Sequence, residues 1–131
     1  MSRSKVPPSN VVLLGLAEDL ARESGRILSE QGHKVYSFPL LSASGALEVL
    51  KQVHADLVFC PAEPDRYNLL LDAITQKMAG LPLVVVSRHP DTSAWLDALQ
   101  AGASDYCAPP FESVHIRWIM ESMLAPQSGD A

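Results

Sequence analysis

The chain reads as an α/β domain, a parallel sheet with crossover helices, on three observations. Short apolar runs rich in β-branched residues recur about five times; a stretch with helical spacing follows each; and isolated glycines or prolines separate the units.

Taken in order, Val11 to Leu16 is a buried strand, and the helix after it carries Leu20, Ser24, Ile27 and Leu28 on one face before stopping at Gly32. Val35, Tyr36 and Phe38 make a second strand. Ser42 or Ser44 caps the next helix, in which Leu47, Leu50 and Val53 repeat at helical spacing. The third strand is Asp56 to Cys60. The loop PAEPDR follows, its two prolines forbidding continued helix or ladder pairing, and a helix then runs from about Tyr67 to Ala79 with Gly80 as its stop. The fourth strand is LVVVS. Asp91 or Thr92 caps a helix whose Ala94, Ala98 and Ala101 line one stripe until Gly102. Ser104 to Ala108 is the last strand, broken by Pro109 and Pro110. Val114, Ile116, Ile119, Met120 and Met123 form a final amphipathic helix before the polar tail PQSGDA.

A chain of 131 residues fits one domain, and one of this size buries roughly 68% of its unfolded surface, enough for a single core. The expected division is an extended or disordered segment over 1–9, the domain over 10–124 and a tail over 125–131. Apolar runs such as PLVVV are too short to cross a bilayer, and MSRSKVPPSN carries no apolar stretch of the kind a signal peptide needs. A cytoplasmic protein is expected. A net charge of −5 repels phosphate backbones, which argues against nucleic acid as a partner. Cys60 and Cys107 sit in strand-like apolar contexts without metal-ligand spacing and read as buried thiols. His33, His54, His89 and His115 are scattered singly, and the first three fall in turns where a solvated imidazole is the plain explanation. Nothing pairs Cys60 with a base, and no glycine-rich phosphate loop follows a strand, so neither an enzyme, a cofactor nor a metal is expected.

In a sheet of this kind ligands gather at the carboxyl ends of the strands, which directs attention to Gly15, Leu16, Ala17, Pro61, Ser87 and Pro109. Here PLVVVSRHPDTSAWLDALQAGASDYCAPPF, residues 82 to 111, resembles the receiver domains of bacterial two-component response regulators without gaps; ADLVFCP is similar to their third strand, and the first half agrees only in apolar pattern. The resemblance implies a flavodoxin-like (βα)5 fold, a three-layer sandwich with strand order 2-1-3-4-5. It also implies a pocket in which an acidic pair holds Mg²⁺, an Asp accepts a phosphoryl group and a Lys stabilises it. In this sequence those positions fall on Gly15 and Leu16, on Pro61 and on Pro109; only the hydroxyl position survives, as Ser87. Mg²⁺ needs oxygen ligands, and phosphoryl transfer depends on positioning and charge neutralisation, so this set cannot support the reaction. Glu18, Asp19, Glu63 and Asp65 lie nearby, but first-turn acids favour the helix dipole and loop acids are ordinarily solvated.

The resemblance further implies an output surface on the fourth helix, fifth strand and fifth helix, with Tyr106 as the switch aromatic. Trp95, spaced i+4 from Leu99, and Trp118 fall near it; each is either a partly exposed anchor or a ring sealing a helix onto the sheet. The expected function is a phosphorylation-independent signalling module in a bacterial two-component or related pathway, meeting a protein partner or a second copy through this face. The alternative is a small-molecule sensor or enzyme using the strand-end cleft.

Overall fold

The computed structural model describes residues 6–124, and the tail expected at 125–131 lies outside them. Ten elements alternate along the chain: β1 (Asn10–Leu14), α1 (Glu18–Glu30), β2 (Lys34–Phe38), α2 (Ala43–Gln52), β3 (Leu57–Pro61), α3 (Pro64–Lys77), β4 (Leu83–Val86), α4 (Thr92–Ala101), β5 (Asp105–Cys107) and α5 (Ser113–Leu124). All strand pairs are parallel and the order is β2-β1-β3-β4-β5, the doubly wound three-layer sandwich expected.

Strand alternation sorts the core into two layers. Val11, Leu13, Leu57, Phe59, Val84 and Val86 face α1 and α5, where Ile27, Leu28, Ile116, Ile119 and Met120 meet them. Val12, Leu14, Val58, Cys60, Leu83 and Val85 face α2, α3 and α4, through Leu50, Leu70, Ile74 and Ala98. Removing a ring such as that of Phe59, fully buried between layers, costs about 3–5 kcal/mol. The stripe Leu20, Ser24, Ile27 and Leu28 is buried as a unit, and the Ser24 hydroxyl donates to the Leu20 carbonyl at 2.7 Å, so its polarity is satisfied inside the helix.

Several boundaries differ from the sequence expectation. β1 stops at Leu14 because Gly15 turns the chain at φ +73°. Pro64 does not delay α3 but opens it at the first helical position, where the missing N–H costs nothing. Glu63 stands at the N-cap position of that helix, without a side-chain cap bond, and Asp65 lies in its first turn, so neither belongs to a free loop. On α4 only Ala98 is buried and Ala101 is exposed, which leaves this helix lightly seated on the sheet. His33 is 5% exposed rather than solvated: its Nδ1 accepts the Ser9 N–H at 3.1 Å, and burial lowers its pKa, so the ring is held neutral with its proton on Nε2. That bond, with Val6 buried among α1 and α5, packs residues 6–9 onto the domain, whose first contacts therefore precede Asn10.

Candidate functional site

At the carboxyl ends of β1, β3 and β4 the chain leaves a cleft of about 370 Å³. Gly15, Leu16, Pro61 and Ser87 all line it, so four of the five positions singled out for the pocket converge. Pro109 does not line it. It follows β5, joined to Pro110 by a cis peptide bond, and lines a different groove.

Gly15 has a reason to be glycine beyond its turn. A Cβ there would stand 2.9 Å from the Leu40 Cβ and 3.4 Å from a nitrogen of the Arg66 guanidinium, at a φ that L side chains rarely adopt.

Of the four acids near the cleft, Glu18, Asp19 and Glu63 lie against arginines, while Asp65 forms no ion pair among the described residues. Arg66 donates through Nε to Glu63 Oε1 at 3.0 Å. Arg88, the residue after Ser87, reaches α1 and forms a fork on Asp19, at 2.8 and 3.0 Å. Arg88 holds the Asp19 carboxyl down at about 2, chiefly through those hydrogen bonds. Glu18 is drawn toward Arg22 at 3.8 Å. Glu63, Asp19 and Glu18 are thus engaged with guanidinium groups rather than clustered for a cation. Neither Arg66 nor Arg88 was singled out from the sequence. Arg88 falls under the same strand-end rule that selects its neighbour Ser87, whereas Arg66 sits in a segment whose two prolines give a loop signature.

Ser87 is tied to the other face of the molecule. Its hydroxyl donates to the His89 carbonyl at 2.8 Å, and the Tyr106 hydroxyl donates to the same oxygen at 3.0 Å. The Asp91 N–H donates in turn to the Tyr106 oxygen at 3.3 Å, while the Asp91 carboxylate caps α4 through the N–H groups of Ser93 and Ala94. The loop between β4 and α4 therefore joins the cleft to Tyr106 through one carbonyl.

The Tyr106 ring stacks on Trp95 with centroids 5.7 Å apart and planes 25° apart, a favourable offset geometry. Together with Trp118 they border a groove of about 600 Å³ between α4 and α5. Trp95 is 40% exposed and Trp118 56%, so both rings are partly open to solvent. Leu99, the expected i+4 partner of Trp95, is half-buried and does not line this groove. Cys60 and Cys107 are buried, and burial pushes each thiol up to about 12, far from any reactive thiolate. No described helix is long and apolar enough to cross a membrane.

No protein-family model matches the chain, and no curated protein does. Solved structures match it throughout. A putative response regulator from Chloroflexus aurantiacus is 23% identical with a TM-score of 0.77, over 92% of this chain and all of that one. NtrX from Brucella abortus in complex with ADP is 25% identical with a TM-score of 0.76, over 90% of this chain, which spans only about a quarter (26%) of the NtrX chain. A beryllofluoride-activated NtrC4 receiver domain dimer is 16% identical with a TM-score of 0.71, over 88% of this chain and 95% of that one. The fold of this chain is that of response-regulator receiver domains.

Proposed function

We propose that the chain is a receiver-like module of a bacterial two-component or related pathway, cytoplasmic and non-catalytic, that signals through protein contact without being phosphorylated. The observation that carries this reading is the composition of the strand-end cleft. Gly15, Leu16 and Pro61 stand where a receiver needs carboxylates, and the acids closest to them are paired with Arg66 and Arg88. Such a site has no set of free oxygen ligands for Mg²⁺ and no acceptor for a phosphoryl group. The residual machinery, Ser87 and Tyr106 bonded to one carbonyl, adjoins a face with two open tryptophans, a composition suited to contact. The partner is another protein or a second copy; a neighbour with this fold was solved as a receiver dimer.

The test is intact-mass analysis after incubation with acetyl phosphate and Mg²⁺. The expected result is an unchanged mass. A gain of one phosphoryl group overturns the reading.

A further inference from the structure

We propose that the groove between α4 and α5 receives an arginine-bearing, extended segment of a partner protein. The inference rests on the reading of this face as a contact surface and adds the chemistry of what docks there.

The groove is aromatic and anionic at once. Trp95, Tyr106 and Trp118 border it, and so do Asp91, Asp105 and Glu112; His115 is there too, but no lysine or arginine. The four ion pairs among the described residues use Arg22, Arg26, Arg66 and Arg88, all elsewhere; Asp91 accepts the N–H groups of Ser93 and Ala94 and Asp105 accepts that of Tyr106, which leaves Glu112 as the groove's carboxylate without a partner among the described residues. The strand-end cleft pairs acids with arginines; this groove has no such ion pair. A guanidinium group fits both features, because its plane stacks on an indole face while its fork engages a carboxylate.

The strand edge argues for side-chain rather than main-chain recognition. β5 is the last strand of the sheet, and its Cys107 carbonyl accepts the Ser87 N–H, so alternation turns the Tyr106 N–H to the outer edge. That donor is already taken: it bonds Asp105 Oδ1 at 2.7 Å. An added strand would lose its first hydrogen bond there. A second copy docked groove to groove is also disfavoured, since it would set the same carboxylates against each other in a chain of net charge −5.

The experiment titrates the whole chain with a hexapeptide carrying two arginines separated by proline, followed by tryptophan fluorescence and calorimetry. Two comparison peptides replace arginine by citrulline, which keeps the shape without the charge, or by glutamate. Saturable binding that the citrulline peptide loses by about tenfold, and that Glu112→Gln and Trp118→Leu each weaken by a comparable factor at unchanged circular dichroism, is expected. Glu112 and Trp118 are exposed, so neither change threatens the fold. The proposal is overturned by no saturation up to millimolar peptide, by equal binding of the citrulline or glutamate peptide, or by variants that bind unchanged. It is equally overturned if the chain sediments as a dimer that Trp118→Leu dissociates, which would make the occupant a second copy. A chain that ignores the peptide and still takes up no phosphoryl group loses only the cationic occupant; phosphorylation would overturn the reading beneath it.

Discussion

The strand-end cleft and the α4–α5 groove lie on either side of the loop between β4 and α4, yet they treat charge and shape in opposite ways. In the cleft, Glu63 and Asp19 are matched by Arg66 and Arg88, and Gly15 is packed so closely that even a Cβ meets Leu40. In the groove, three acids take part in no ion pair, the Glu112 carboxylate has no hydrogen-bond partner among the described residues, and two indoles remain open to solvent. A site that has closed its own electrostatic accounts has little free energy left to offer a ligand, whereas one with unmatched charge and exposed aromatic area gains from an outside partner. The contrast teaches that one fold can carry a self-paired end and an open aromatic end, because the two depend on different residues.

The hardest way to break the contrast is to force chemistry back into the cleft. Gly15→Asp, the first change needed to rebuild an acidic pair, places a side chain at φ +73° against Leu40 and Arg66. A urea melt should show a loss of about 2 kcal/mol or more. Rebuilding the site by adding acids at 15 and 16 and a lysine at 109 therefore meets two obstacles: backbone strain at 15, and Pro109 lying outside the cleft. Pro61→Asp alone should gain no phosphoryl group from acetyl phosphate, since its metal ligands are still missing. Rapid uptake by that single variant would show the cleft to be a working pocket one residue short.

The next test separates the two tryptophans. Trp95→Ala removes the stack on Tyr106 and should cost about 1 kcal/mol in a urea melt, while Trp118→Ala should stay within about 0.5 kcal/mol. In association the order need not follow stability, because an interface anchor is worth at least ~2 kcal/mol, roughly thirtyfold in affinity. If the double variant unfolds, the rings belong to the core and the groove is no contact surface.

How much of this was legible follows from the range of the interactions. The buried stripe of α1 and the apolar runs of the strands repeat at fixed spacing, so local pattern identified them and, through the resemblance, the strand order. The position of Gly15, Leu16, Pro61 and Ser87 around one cleft followed from the strand-end rule. Other features are long-range or double-valued. The bond between Arg88 and Asp19 joins residues 69 apart. His33 is buried with its ring bonded to Ser9, 24 residues away. Pro64 breaks a helix from inside but starts one at its first position, and the loop reading took the wrong sense. The stack of Trp95 on Tyr106 is a tertiary contact that helical spacing could not reveal.

The smallest expected effect concerns whether the mouth of the cleft is tied in solution. Asp19 is held at about 2 against an ordinary value of 3.8, first by its hydrogen bonds from Arg88 and also by that residue's charge. A carboxyl whose folded pKa is depressed contributes stability above its unfolded value and loses that contribution as pH falls through the folded one. The window is therefore pH 3.8 down to about 2. Both partners are solvent-exposed, so a urea melt at neutral pH should barely distinguish Arg88→Gln from the parent chain. A carbon-detected NMR titration should distinguish them clearly, with the Asp19 carboxyl titrating near 2 in the parent and returning to the ordinary carboxylate range in the variant. High salt should move the parent in the same direction, because an exposed pair is screened. If Asp19 already titrates at its ordinary value in the parent chain, the fork is absent in solution, the cleft keeps an unpaired acid and an unpaired arginine, and its contrast with the groove narrows to shape alone.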